Sequence, residues 1–324
     1  MRAVVCRELT GLKGLSFEND WPEPSAGPGE ILIDVKAAAL NFPDLLMIKG
    51  LYQEQPKMPF IPGAEFAGVV EALGEGVSGF EPGDRVVSVS GSALAEKTAV
   101  KAELVMPAPP GLDFEAASGV CITYFTTMHA YKQRANLQPG ETVLVLGAAG
   151  GVGTTAVELG KVMGARVIAA ASNEEKLDLA RSLGADETIN YTTDDLRARV
   201  KEITAGKGVD VVYDPVGAQL AEPALRCLAW KGRYLVIGFA GGEIPRVPLN
   251  LTLLKGSSIV GVFWGDFTRR EPKVQRANAM ELWKLIGEGK LKPVVGDVHD
   301  LPDYSQAFEA LAGRSARGKV VIRI

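Results

Sequence analysis

The chain is poor in the residues that build metal centres and disulfides. Its 324 residues include only two histidines, His129 and His299, and three cysteines, Cys6, Cys121 and Cys227. Cysteines that are odd in number and widely spaced do not describe a disulfide framework, and without a C-x-x-C spacing a closed structural zinc site is close to excluded. A catalytic zinc needs three protein ligands, and His129 in a helical stretch and His299 beside acidic loop residues are a poor supply, better suited to structural or surface roles. An excess of positive charge is lacking too. A formal net charge of −4 and a pI near 5.5 give no broad positive field to capture nucleic acid. No apolar run reaches the length needed to cross a bilayer. Met1 to Gly14 offers only the short apolar patch Ala3 to Cys6, too little for a signal-peptide core. A reducing cytoplasm is the expected home, with neither membrane nor nucleic acid as partner.

What is present is a length suited to about two domains and a globular composition, 47% apolar, with 37 glycines that imply many tight turns. Up to about Ala117 glycine and proline cut the sequence into short β-like runs, Ile31 to Val35, Ala67 to Ala72 and Arg85 to Val89, as in a small β-rich barrel. From Thr142 onward apolar runs alternate with helical patterns: Thr142 to Leu146, Arg166 to Ala170, Val209 to Tyr213, Tyr234 to Ile237 and Ile259 to Phe263. That alternation predicts an α/β fold with a doubly wound parallel sheet. A helical stretch, Val274 to Ile286, and an apolar strand, Lys319 to Ile324, close the chain.

The sharpest motif is the run Thr142 to Leu146 followed at once by Gly147-Ala-Ala-Gly150-Gly-Val-Gly153 and a helical stretch ending near Met163. A strand that feeds a glycine-rich turn at a helix start sets backbone N–H groups and the positive helix end against a pyrophosphate. Against the standard G-x-G-x-x-G the chain has Ala148 first, with Gly150 and Gly153 in place. Ala149, Gly150, Gly151, Val152 and Gly153 are therefore the expected pyrophosphate contacts. A tight packing turn without ligand is the competing reading.

About twenty residues on, a second strand runs Arg166 to Ala171 and ends in Ser172-Asn173-Glu174-Glu175-Lys176. An NAD site places Asp or Glu at that strand end to bond the ribose hydroxyls. Here the strand closes in Ala171. A carboxylate about 4 Å from a 2′-phosphate would cost on the order of 4 kcal/mol at an effective dielectric of 20, so its absence permits NADPH. Ser172, Asn173 and Lys176 are the candidate phosphate-side residues; Ser172-x-x-Glu175 also reads as a helix capping box, and both readings stand together.

Asn41-Phe-Pro-Asp44, Gly50-Leu-Tyr52, Pro62-Gly-Ala-Glu-Phe-Ala-Gly68, Gly83-Asp-Arg-Val86, the Gly147 to Gly153 turn, Asp214-Pro-Val-Gly217 and Gly313-Arg314 with Gly318-Lys-Val-Val321 resemble the medium-chain dehydrogenase/reductase superfamily. Over nearly the whole chain the resemblance is to its zinc-free quinone oxidoreductase (zeta-crystallin-like) branch. Where zinc-dependent relatives carry a metal Cys and a Gly-His-Glu, this sequence has Asn41 and Gly63-Ala64-Glu65. The resemblance implies a GroES-like catalytic domain, residues 1–122 completed by 266–324, and a Rossmann NADPH-binding domain, 123–265, with NADPH in the cleft. It also implies that Asn41, Tyr52 and Thr126 border the nicotinamide and substrate, that Tyr191 flanks the adenine, and that Phe239 and Phe263 line the cofactor channel. Each has a packing alternative: Asn41 as a turn residue, Thr126 as a helix-start hydroxyl, Tyr191 and Phe239 as core aromatics. Arg314 and Lys319 are either supports for the cofactor phosphates or surface charges. A homodimer is implied, through edge pairing of the strand around Ile259 to Trp264.

Reducing a simple ketone builds an alkoxide that a site without zinc or a strong acid cannot easily stabilise. The acceptor is therefore expected to delocalise the charge itself, as quinones and α,β-unsaturated carbonyls do. The expected function is an NADPH-dependent quinone oxidoreductase acting on a small-molecule quinone, with an alkene (enone, acrylate or enoyl-thioester) reductase as the sister reading. A non-catalytic crystallin-like or RNA-binding protein is the reading from another class.

Overall fold

The apolar runs after Thr142 build a parallel sheet of six strands in the order Glu187–Asn190, Arg166–Ala171, Thr142–Leu146, Val209–Asp214, Leu228–Val236 and Ser258–Gly261. This computed structural model describes residues 1–53, 56–314 and 316–324. The inner strands read as unbroken apolar runs because helices cover both faces: Val143 to Leu146 and Val167 to Ala170 are all fully buried. The order doubles back beside Thr142–Leu146, which places the switch point of the sheet at the carboxyl end of that strand, where α/β sheets bind ligands. Strands end earlier than the hydrophobicity suggested at two places. Ile237 lies past Leu228–Val236, and Val262 and Phe263 lie past Ser258–Gly261, Phe263 serving instead as the cap of a helix, Trp264–Arg270.

By compactness the chain divides into two units, Thr123–Lys292 and Met1–Ile122 with Pro293–Ile324. Residues 266–292, assigned on sequence to the first domain, group with the second. The reason is packing: the helix Pro272–Gly287 buries Leu282 and Ile286 and stacks Trp283 on Phe125 with ring centroids 5.4 Å apart. Glu158, on the helix Gly151–Val162, is buried and holds both ends of this unit. One carboxylate oxygen accepts the Tyr124 hydroxyl, and the other accepts the Lys292 backbone N–H at 2.9 Å.

The first unit is built on the eleven-residue strand Glu30–Leu40, which pairs antiparallel with Lys319–Arg323, Glu65–Leu73 and Lys97–Lys101. Period-2 alternation splits its buried end between two faces. Ala38 and Leu40 join Val320, Ile322, Phe66 and Phe308 in the main core, while Ala37, Ala39 and Val321 pack beneath Phe114. Arg85–Val89 and Val105–Pro107 extend the sheet on one side and Val295–Asp300 on the other. His299 thus sits in a strand rather than a loop. Among the described residues no helix is long and apolar enough to cross a membrane.

Candidate functional site

In the second unit the strand Thr142–Leu146 delivers the chain into the glycine turn. Gly147 takes the left-handed φ of +59° that L side chains avoid, so the first turn glycine stands one residue before the standard spacing and Ala148 is free to bury its methyl. Gly153 is fixed by packing: a Cβ there would lie 2.1 Å from the Gly147 carbonyl oxygen. Gly150 differs. It is exposed, and a Cβ on it would meet only that same oxygen, at 3.5 Å. Packing within the protein does not require glycine at 150. The helix Gly151–Val162 begins here, with Gly150 at its N-cap and the first helical bond from Thr154 N–H to Gly150 C=O at 2.8 Å. The N–H groups of Gly151, Val152 and Gly153 precede that bond and have no acceptor within the helix. Free helix-start N–H groups and the positive end of a helix are the donor set that suits an anion.

Ser172 and Lys176 come together as the sequence suggested, Lys176 Nζ donating to Ser172 Oγ at 3.3 Å beyond the end of Arg166–Ala171. The capping reading needs correction. Asn173, not Ser172, caps the helix Glu174–Ser182, its side chain accepting the Lys176 N–H at 3.0 Å. This leaves the Ser172 hydroxyl outside the cap and spends the Asn173 side chain on it. Tyr191 is half-buried, its N–H bonded to Ala171 C=O at 3.1 Å, and it lines a crevice of about 650 Å³ together with Leu196, Arg197, Ala218, Arg246 and Val247. Phe239 is half-buried against Gly217, and Phe263 is mostly exposed. Thr126 lies well inside the helix Val120–His129, not at its start, and is half-buried. His129 stacks on Phe267 with centroids 3.9 Å apart, and burial holds its imidazole below the usual range.

In the first unit Asn41 and Glu65 meet a partner the sequence did not assign to them. Lys319, expected at a phosphate or on the surface, is buried. Its Nζ donates to Asn41 Oδ1 at 2.7 Å, Glu65 Oε1 at 2.7 Å and Leu40 C=O at 3.0 Å. Those bonds use all three ammonium donors. The Asn41 amide is spent as well, Nδ2 donating to Glu65 Oε1 at 2.8 Å and Ala39 C=O at 3.3 Å. Glu65 is fully buried, and its second oxygen accepts the Ile122 N–H at 2.9 Å. Asn41 also caps the short helix Phe42–Met47, its N–H donating to Asp44 Oδ2 at 2.7 Å. Burial pushes the Asp44 carboxyl up to about 7 against the pull of that N–H and of Lys319, and its Oδ1 is buried without a partner. Tyr52 is half-buried in the loop after this helix, and Arg314 is exposed with φ +55°, just past the helix Tyr304–Ala312.

This centre does not fit a zinc ion. Asn41 and Ala64 replace thiolate and imidazole, an ammonium occupies the carboxylate a dication would need, and among the described residues no three His, Cys, Asp or Glu side chains converge. Sequence reasoning missed Lys319 here because its partner Glu65 is 254 residues away.

Comparison with known proteins places these features. Residues 27–127 match the alcohol dehydrogenase GroES-like domain and 151–280 the domain described as zinc-binding dehydrogenase. The chain is 38% identical over 325 residues to quinone oxidoreductase-like protein 2 of Rattus norvegicus, covering 100% of this chain and 92% of the relative. It is 37% identical over 306 residues to the quinone oxidoreductase of Pseudomonas aeruginosa, 94% of each. The structure of the quinone oxidoreductase of Thermus thermophilus, described also in complex with NADPH, superposes with a TM-score of 0.87 at 38% identity over 100% of both chains. The chain is an oxidoreductase and belongs to the quinone oxidoreductase-like branch of the medium-chain dehydrogenase/reductase superfamily.

Proposed function

We propose that this enzyme reduces a quinone with NADPH, without a metal. The observation that carries the reading is Gly150, an exposed residue whose missing side chain nothing in the protein demands, at the mouth of a helix start with unpaired N–H groups. Ala149, Gly150, Gly151, Val152 and Gly153 hold the pyrophosphate. Ser172 and Lys176 take the 2′-phosphate, with Asn173 shaping the turn that presents them and no carboxylate at the strand end to oppose it. Tyr191 borders the adenine, whose room is the crevice beside it, and Phe239 and Phe263 line the cofactor channel. Arg314 is assigned a supporting role toward the cofactor phosphates. The bound cofactor supplies the hydride; the protein supplies geometry and exclusion of water.

The choice of acceptor follows from the Asn41–Glu65–Lys319 centre. Its ammonium has no donor left for a developing alkoxide, and its donor set suits no Lewis acid. An acceptor that spreads the charge itself needs neither. Hydride addition to a quinone gives a hydroquinone monoanion, which water or Tyr52 protonates. Asn41 acts from within its buried network toward the substrate, and Thr126 is assigned a substrate-bordering role of its own. A homodimer is part of the reading: Ser258–Gly261 is an edge strand, and Trp230, Leu249, Leu253 and Leu254 are exposed apolar residues of the same unit.

The test is NADPH consumption with 1,4-benzoquinone and with simple enones. Faster turnover of the quinone supports the reading, preference for enones moves the enzyme to alkene reduction, and no acceleration by either defeats both.

A further inference from the structure

Asp214-Pro-Val-Gly217 stood out in the sequence, yet none of its residues has a place in the chemistry so far. Asp214 ends the strand Val209–Asp214 and is buried. Its Oδ1 accepts the N–H groups of Val216 at 2.7 Å and Gly217 at 2.8 Å, folding the chain into a tight side-chain-closed turn. Its Oδ2 accepts the hydroxyl of Tyr234, which is buried on the neighbouring parallel strand Leu228–Val236. A carboxylate is costly to bury, and an apolar pair of similar volume would fill this space without that cost. What the apolar pair could not do is hold the two loop N–H groups.

The closed turn has one conspicuous neighbour. Val216 lies so close to Gly147 that a Cβ on that glycine would come 2.9 Å from Val216 Cγ2. Gly147 in turn sets the bend in which its carbonyl meets Gly150 N–H at 3.0 Å. On its other side the 215–218 segment is stitched to the loop that carries Phe239, by Ala240 N–H to Pro215 C=O at 3.0 Å, Gly241 N–H to Val216 C=O at 2.7 Å and Ala218 N–H to Glu243 C=O at 3.2 Å. Val216 is thus clamped, and it leaves no room for a side chain on the first residue of the glycine turn.

We propose that Asp214 and Tyr234 are positioning residues for the nucleotide, fixing the shape of the pyrophosphate turn through Val216 without touching the ligand. This rests on the reading that the Gly147–Gly153 turn binds the NADPH pyrophosphate.

The experiment is a double-mutant cycle on NADPH affinity with Tyr234→Phe, Val216→Ala and the pair, read by titration of tryptophan fluorescence and by KM for NADPH. Each single substitution is expected to raise the dissociation constant about tenfold, Tyr234→Phe by losing one hydrogen bond to a charged group and Val216→Ala by losing the packing through which that bond acts. The rate at saturating NADPH is expected to stay within about twofold, because the groups act on binding and not on hydride transfer. The pair is expected to be no weaker than the worse single variant, since both act through one contact. A product of the two losses, about a hundredfold by the same arithmetic, overturns the proposal, as does unchanged affinity in Tyr234→Phe or in Val216→Ala. Asp214→Asn, which keeps one acceptor for the loop, is expected to lose less than Tyr234→Phe with Val216→Ala; a larger loss counts against the proposal. If the wild type itself fails to bind NADPH, the parent reading falls; wild-type binding with insensitive variants brings down this inference alone.

Discussion

Removing the Lys319 side chain charge tests the reading of the first unit most directly. Lys319→Met keeps the apolar stem and deletes an ammonium that makes three hydrogen bonds inside the protein. Glu65, fully buried, would keep only Asn41 Nδ2 and Ile122 N–H, and Asp44 would lose its one nearby positive charge. Breaking a buried pair by removing one partner costs about 3–5 kcal/mol, because the remaining charge is stranded in low dielectric. With a slope near 3 kcal/mol per molar in urea, that lowers the unfolding midpoint by about 1–1.7 M, readable by circular dichroism. Lys319→Met combined with Glu65→Gln removes the stranded charge while leaving an acceptor for Ile122, and is expected to recover about 2 kcal/mol or more of the loss. A fall of less than about 0.3 M in the single variant, or a double variant as unstable as the sum of its parts, would refute the argument that the ammonium is an internal counter-charge.

Three further outcomes follow from the same geometry. Gly150→Ala is expected to leave thermal stability within about 1 kcal/mol of wild type, as its Cβ meets a single atom at 3.5 Å, yet to weaken NADPH binding by more than about tenfold; equal binding would remove the pyrophosphate from the turn. Lys176→Ala is expected to reduce NADPH affinity about tenfold while leaving NADH unchanged, and a titration with both cofactors that shows no change in their ratio would take Lys176 out of the phosphate site. Asp44 gives a pH signature. Its folded pKa is raised from 3.8 to about 7, so its contribution to stability is greatest at low pH and is lost as pH climbs through that interval. Asp44→Asn is therefore expected to gain on wild type with rising pH, by up to about 4 kcal/mol, and a difference that is flat between pH 5 and 8 would contradict it.

The legible parts of the sequence were those whose signal is local. Thr142 to Leu146 and the turn behind it could be read because a doubly covered strand must be apolar throughout and a tight bend must hold glycine, both within a dozen residues. The cap falls one residue later than the Ser172 reading, on Asn173, because Ser, Asn and Glu in a row offer two registers that only the backbone angles separate. Lys319 was misplaced for a different reason: a lysine near a chain end usually faces solvent, and its true environment is assembled by strand pairing with the segment at residues 37–40. The return to the first unit was placed too early because the helix Pro272–Gly287 shows an apolar face without saying which body covers it. Tyr234 looked like one more apolar strand residue, and its hydroxyl carried no sequence clue.

The carboxylate of Glu158 has a bearing on how this architecture can be handled. A unit whose entrance and exit are tied to the same side chain behaves as a cassette, with its two ends already held close together. Cutting after 122 and after 292 is then a rational way to obtain the second unit as a separate piece.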